Sequence, residues 1–380
     1  MSWFTRKRLV IVLVFLCCAF FVLAKFGPIS KAVSGSAMLV PLITANNQDS
    51  ITTDVDGDLR ADPGDTIKYT VVINNAGTDA TGVNFTDTLD PNMSLVAGSV
   101  SSSVLSTGET FAVTGNVRIS MPNGATDLLA NDIDPITGDN STLSITTLGG
   151  DNTAPFAGTS TQGGQVTATT GDGSFQYNPP PGFTGSDTFT YTVTSSSGGT
   201  ATATVTLNIT NMIWFINNSV TNGDGRLTSP FSSIANYNAS SPIKDPNDIV
   251  FLYSTGSAHQ GNLVLLAGQQ VIGQGVDLAA VTGITVPTGS DPLPGAANNP
   301  DLDGLVGDTI TLNTNNTLRG FNLRSAPGRD IFGSGFGTLT VSAMALTGTG
   351  RPLDLTNGVL NAAFTSITSN SSTLEIHFVI

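Results

Sequence analysis

Apolar and polar residues alternate through much of this 380-residue chain. In "TIKYTVVINN", Ile67, Tyr69, Val71 and Ile73 fall on one face and Thr66, Lys68, Thr70 and Val72 on the other. That two-residue period predicts a half-buried strand. Asn75-Ala76-Gly77 predicts a turn, Val83 and Phe85 the next strand, and Asp90-Pro91-Asn92 another turn. The alternation is clearest in "GSFQYNPPPGFTGSDTFTYTVTSSSGGTATATVTLNIT". There Phe175 and Tyr177, then Phe189, Tyr191 and Val193, then Ala203, Val205, Leu207 and Ile209 mark successive strands. Gly198-Gly199 supplies the hairpin turn, and Phe183 is placed to fill the core between strands.

Beyond residue 211 the pattern changes to short apolar runs between glycine turns. Ile249, Phe251 and Tyr253 alternate, and Leu263, Leu265 and Val271-Ile272-Gly273 follow. Leu339 to Leu360, Leu346 to Ile367, Leu353 to Leu374 and Leu355 to Ile376 each span 21 residues, and Leu323 to Leu346 spans 23. Such a repeat predicts stacked rungs with inward Leu, Ile and Val. Asn313, Asn315 and Asn316 suit a turn better than a stacked asparagine ladder.

The expected fold is all-β. Two Ig-like β-sandwiches (38–107 and 108–211) precede a parallel β-helix (212–380), with a signal helix in 1–37. The β-helix is expected to be incomplete, since "SSTLEIHFVI" stops in mid-rung.

Composition refines this picture. Arg6, Lys7 and Arg8 precede the apolar run "LVIVLVFLCCAFFVLA", the form of a secretory signal peptide, with cleavage expected after Ala37. An uncleaved membrane anchor is the alternative, and is the only membrane association expected. Cys17 and Cys18 are the only cysteines, so a cleaved chain has no disulfide and depends on sheet packing. Residues 1–37 carry five basic and no acidic residues, so cleavage takes the net charge from −14 to −19. An acidic chain is a poor partner for nucleic acid and a suitable one for a divalent cation.

The candidate chemistry lies in "DVDGDLRADPGD". With Asp54 as position 1, Asp56, Asp58, Arg60, Asp62 and Asp65 stand at positions 3, 5, 7, 9 and 12, the ligand positions of a calcium loop, Arg60 through its carbonyl. Glycine at position 4, aspartate at 12 and the lack of flanking helices depart from that pattern, and a solvated acidic turn is the competing reading. No catalytic residue is expected. The best catalytic constellation, Asp301, Asp303 and Asp308 followed by Arg319 and Arg324, would suit a polysaccharide lyase but reads better as a solvated loop.

Three family resemblances follow from quoted residues. "ADPGDTIKYTVVINNAGTDATGVNFTDTLDP" resembles the conserved-repeat Ig-like module of large bacterial surface proteins, with Asp90 interrupting the final D-T-L-P element. That resemblance implies a display module without catalysis. In some surface Ig domains a lysine forms an isopeptide crosslink, but Lys68 alternates onto the face opposite Tyr69. "DLLANDIDPITGDNSTLSI" and the G-F-x-G, D-x-F-x-Y-x-V run resemble cadherin-like tandem Ig modules of bacterial adhesins. This implies Asp132, Asp134 and Asp139 as calcium ligands near a module junction, with ordinary Asx turns as the alternative. "IWFINNSVTNGDGRLTSPF" and "GQQVIGQG" resemble the start of parallel β-helix passenger domains of bacterial surface proteins. Together they imply an exported, non-enzymatic structural or adhesive protein stiffened by Ca2+, whose partners are surface glycans or other cells. A carbohydrate-active enzyme or a glycan-binding module is the alternative.

Overall fold

The computed structural model describes residues 3–4, 8–17, 40–76, 80–81, 85–240, 244–325, 327–369 and 377–379. Strands dominate, and the two helices among the described residues, Ile234–Ala239 and Leu278–Thr282, are short. Neither is long and apolar enough to cross a membrane.

The first module is a five-stranded antiparallel sheet around Thr66–Asn75. Strand Ile43–Thr53 pairs with one edge of it and Arg8–Cys17 with the other. The segment expected as a signal helix is therefore a strand over Arg8–Cys17. Its Val10, Ile11, Val12 and Val14 are β-branched, which favours a pleated strand, and Thr66–Asn75 offers it a free edge. Val71, Ile73 and Leu105 form a small core, against which Ile43, Tyr69 and Ile133 pack. A second, two-stranded antiparallel sheet pairs Trp3–Phe4 with Ala80–Thr81. Residues 82–84, with the strand start expected at Val83, lie outside the described residues, as does the cleavage position at Ala37.

The second module is a sandwich of two four-stranded sheets. One orders Leu143–Leu148, Gly185–Ser195, Thr200–Thr210 and Thr110–Thr114; the other Phe156–Thr159, Gln165–Ala168, Phe175–Asn178 and Ile119–Met121. The alternating residues read from the sequence all point inward: Phe175, Tyr177, Phe189, Tyr191, Val193, Ala203, Val205, Leu207 and Ile209 are buried in one core. Phe183 is partly buried against it, as expected.

The third region is a curled parallel sheet with three faces, wound as a β-helix. Its first face stacks Ile213–Ile216, Ile249–Leu252, Gln270–Gly273, Thr317–Arg319, 340–342 and 361–363. The second stacks His259–Gln260, Asp301–Asp303, Asn322–Ser325, 345–346 and 366–367. The third stacks Leu263–Val264, Ile310–Thr311, 331–332, 353–356 and His377–Val379. The pairings Leu339 with Leu360, Leu346 with Ile367 and Leu323 with Leu346 match the spacings in the sequence. The last rung differs: Leu355 pairs with Phe378, two residues beyond the expected Ile376. The spacing from Leu355 to its partner is therefore 23 residues, as it is from Leu323 to Leu346. Leu374 and Ile376 lie outside the described residues. Leu353 and Leu355 do face the core.

Where the third face turns into the first, a polar ladder runs inside the solenoid. Asp248, Gln269 and Asn316 occupy the same place in successive rungs and are all buried. Asp248 accepts from Trp214 Nε1 at 2.8 Å and from Asp245 N at 2.9 Å. Gln269 accepts from Leu266 N and donates to Asp245 O. Asn316 accepts from Asn313 N at 2.8 Å and donates to Leu266 O and Gln269 O at 2.8 and 3.1 Å. The asparagine reading favoured from sequence, a turn, therefore needs correcting for Asn316. It is a ladder member, while Asn315 makes the turn in the left-handed region.

Removing the Asn316 amide leaves the Asn313 N–H without its partner and takes one of two donors from each of the Leu266 and Gln269 carbonyls. Asn316→Ala is expected to cost about 2 kcal/mol, measured as a lower denaturant midpoint at unchanged slope.

Candidate metal centres

The loop 54–65 links two neighbouring antiparallel strands of the first sheet. Its aspartates fold the backbone back on itself. Asp54 accepts from Gly57 N at 2.7 Å and Leu59 N at 2.8 Å, Asp56 from Asp58 N at 3.2 Å, and Asp58 from Arg60 N at 2.8 Å. Gly57 and Leu59 adopt positive φ to allow this winding. Asp65 is fully buried and closes the loop, accepting from Val55 N at 2.8 Å and Asp62 N at 3.2 Å.

Ligand oxygens of Asp54, Asp56 and Asp58 lie within 4.8 Å of one another. Amide donors, Leu59 N foremost, hold the Asp54 carboxyl below its ordinary range. Lost hydration, then the charges of Asp56, Asp65, Asp58 and Asp54, raise that of Asp62. The chain thus brings positions 1, 3 and 5 of the expected ligand set together, surrounds Asp62 with the same charges, and gives Asp65 a structural task. Arg60 contributes its amide to Asp58.

The second expected set divides. Asp134 and Asp139 share one turn, in which Asp134 N donates to Asp139 O at 2.8 Å. Asp134 accepts from Ile136 N and Thr142 Oγ1, and Asp139 from Ser141 N, Ser141 Oγ and Thr137 Oγ1. Donors from Ser141 first, then Thr137, keep the Asp139 carboxyl low. These bonds are those of Asx turns.

Asp132 belongs to a different centre. It accepts from Thr107 N at 2.8 Å and from Tyr191 Oη at 3.0 Å. Around that one hydroxyl also lie Leu128 O at 2.8 Å, Glu109 Oε1 at 3.2 Å and Thr107 O at 3.3 Å. A phenol has one proton to donate, so oxygen acceptors outnumber donors here. Glu109 Oε2 is buried and has no hydrogen-bond partner among the described residues. Burial first, then the charge of Asp132, pushes the Glu109 carboxyl up to about 8. The sequence held a signal for Glu109, which alternates with Phe111 and Val113 and so shares their inward face.

Asp187 follows the same rule, sharing the face of Phe189 and Tyr191. It is fully buried and receives Ser160 Oγ at 2.5 Å, Tyr177 Oη at 2.6 Å, Thr161 Oγ1 at 2.9 Å and Gln162 N at 2.9 Å. Burial works to raise its carboxyl, and these donors, Ser160 first, bring it below the ordinary range.

The residues weighed for lyase chemistry are held in structural contacts. Arg324 pairs with Asp301 at 2.8 Å, and Asp308 pairs with Arg329 at 2.6 Å. Arg329 continues to Asp354 at 2.9 Å, which also meets Arg351 at 3.0 Å. Arg319 donates to Val281 O, and Asp303 accepts from Gln260 Nε2.

Glu109 sets a pH dependence whose sign follows from its raised value. The folded state favours the protonated form, so its contribution is fully present below the unfolded carboxyl range and is lost as pH rises to about 8. In chelator, the second module is expected to melt at lower temperature as pH rises from 5 to 8, and Glu109→Gln is expected to flatten that slope. Calorimetry across that range checks it.

Searches of curated proteins and of solved structures each return no match. The family model of the bacterial Ig domain matches residues 104–208. The match spans both sheets of the sandwich and the Glu109–Asp132–Tyr191 centre, so this segment of the chain is a bacterial Ig domain.

Proposed function

We propose that this is an exported structural and adhesive protein of the bacterial surface, in which Ig-like modules present a β-helix. The observation that carries the reading is the joint between the bacterial Ig domain and the solenoid. Asn116, fully buried, donates to Ile213 O at 2.9 Å and accepts from Gly182 N at 3.0 Å, and its carbonyl receives Leu227 N. Arg118 pairs with Asp291 at 3.1 Å, and backbone bonds link Ser120 to Gly289 and Asp291 to Arg118. Such a joint holds the β-helix at a fixed angle, as a presenting stalk requires. Bacterial Ig domains are common in surface and extracellular proteins, which supports the export reading of the basic and apolar N-terminus. In this reading the chain has no catalytic centre, and its partners are surface glycans or other cells.

Two measurements test this. Labelled full-length protein on a glycan array should bind without releasing unsaturated uronates from pectin or alginate; product absorbance would establish the lyase reading instead. On intact producing cells, external protease should cleave the protein; protection from protease would overturn surface exposure.

Calcium is the proposed stiffening ion of the 54–65 loop. One ion between Asp54, Asp56 and Asp58 would cancel much of their mutual repulsion and fix the approach to strand Thr66–Asn75. At a hundredfold excess over Kd, binding to the folded state alone adds about 2.7 kcal/mol, and extracellular modules bind at about 10⁻⁴–10⁻³ M. Millimolar calcium is expected to raise the melting temperature of the full chain, and Asp56→Asn/Asp58→Asn to remove part of that shift. Equal shifts in both proteins would leave the loop a solvated turn.

A further inference from the structure

The corner where the second face of the solenoid turns into the third holds a column of polar residues, half-buried at Asn262 and fully buried at Thr309 and Asp330. Its lowest member, Asn262, is satisfied by the loop of the next rung. It donates to Val306 O at 2.7 Å and Asp308 O at 2.6 Å and accepts from the amides of Leu305 and Val306. Leu263, Ile310, Ile331 and Leu353 are successive register partners, so the residues preceding them, Asn262, Thr309, Asp330 and Pro352, are stacked as well. Thr309 and Asp330 are both 0% exposed. Neither Thr309 Oγ1 nor either carboxylate oxygen of Asp330 has a hydrogen-bond partner among the described residues.

Among the described residues no cation pairs with Asp330. Arg329 turns to Asp308 and Asp354, Arg351 to Asp354, and Arg324 to Asp301. Burial, acting alone, pushes the Asp330 carboxyl up to about 7. Opposite it stands Gly348 of the next rung. A methyl group there would lie 3.0 Å from the Arg324 carbonyl oxygen and 3.2 Å from Asp330 Oδ1. Arg324 is where the ladder slips, since Leu302 pairs with Leu323 but Asp303 with Ser325. It is therefore an extra residue on its strand, and its carbonyl reaches the same small gap as the carboxylate.

We propose that Asp330 anchors a buried site for a small hard cation, calcium by preference, with the Arg324 carbonyl and the Thr309 hydroxyl as further ligands. A carboxylate taken out of water without a partner is costly, and a cation in the gap removes that cost. Every donor is oxygen, which selects a hard ion. Calcium accepts irregular oxygen shells, whereas magnesium keeps an octahedron with several waters that a closed corner does not admit. The ion ties together, from inside, the same rungs that the Asp308–Arg329–Asp354–Arg351 chain of ion pairs ties from outside.

The test uses the full chain carrying Asp54→Asn/Asp56→Asn/Asp58→Asn, so that the outcome is independent of the acidic loop. The protein is stripped with chelator and titrated with calcium chloride, alone and with Asp330→Asn or Thr309→Val added. The parent is expected to bind one calcium more than its Asp330→Asn derivative. With calcium, hydrogen exchange at 304–309 and 347–351 should slow by about tenfold or more in the parent. Asp330→Asn should abolish that slowing, while folding at least as stably as the metal-free parent. Thr309→Val should weaken calcium binding without abolishing it. Equal stoichiometry in parent and Asp330→Asn, with calcium-independent exchange at both corners, would overturn the proposal and make Asp330 a buried neutral acid.

Discussion

The first two strands of the β-helix's first face are buried on both sides, and the packing of the second and third regions depends on that. In Ile213–Ile216 and Ile249–Leu252 every residue is buried. Trp214, Ile216, Val250 and Leu252 point into the solenoid. Ile213, Phe215, Ile249 and Phe251 point out of it, under Leu278 of the short helix and Val117 of the Ig domain. Each large apolar side chain removed from water contributes about 1.5–3 kcal/mol, so neither side can be uncovered cheaply. The inserted segment 274–299 and the Ig domain are thus part of the solenoid's first rungs. A β-helix also needs its open end closed. Here Phe231 stacks on Trp214 at 5.8 Å, with Tyr237 edge-on to both. Gly225 makes room for this stack, since any side chain there would strike Trp214 and Phe231.

Packing alone would let rungs slide, because inward leucines are interchangeable. Register is fixed by polar groups at the corners. The Asp248–Gln269–Asn316 ladder binds each rung's turn to its neighbour through directional bonds, and the external chain from Asp308 to Arg351 does so with charge. Asp187 and Tyr191 play the same part in the Ig sandwich, where hydroxyls meet carboxylates inside an otherwise apolar core. A polar group inside such a core destabilises unless it is satisfied, which is why these few residues discriminate between registers that the apolar pattern leaves equivalent.

This division explains what was legible in the sequence. Period-two alternation exposed the core of the Ig sandwich, and the runs "IWFI" and "IVFL" mark strands buried on both faces. The 21- and 23-residue spacings gave three correct rung partners, because inward leucines repeat whenever a turn keeps its length. They failed at Leu355, whose partner Phe378 stands 23 residues on rather than 21. Apolarity alone did not separate helix from strand in residues 8–17. The aspartates at 54, 56 and 58 were legible because a local turn brings them together. Glu109 and Asp330 were not: their environments are assembled from residues distant in sequence, and only the inward parity of Glu109 hinted at it. Asn316 reads as one asparagine of a turn until Gln269 and Asp248 are seen in the same column.

Charge gives the arrangement a further consequence. After residue 37 the chain has nine basic residues and 28 acidic ones. Arg118, Arg226, Arg324, Arg329 and Arg351 are taken up in ion pairs. Arg319 bonds a carbonyl, and Lys244 lies 4.6 Å from the centre of the Tyr237 ring. Nearly all the positive charge is thus committed to fixing rungs and joints. Among the described residues, none of these cations forms an ion pair with the carboxylates of the 54–65 loop, Glu109 or Asp330. Their charge must be met by protons or by ions from solution. Protons serve Glu109 and Asp330, whose carboxyls are already raised, but not Asp54, which its amide donors keep ionised. In the readings proposed above, a dissolved divalent cation serves the 54–65 loop and Asp330, and would couple the rigidity of the first module and the solenoid to the ionic composition of their surroundings.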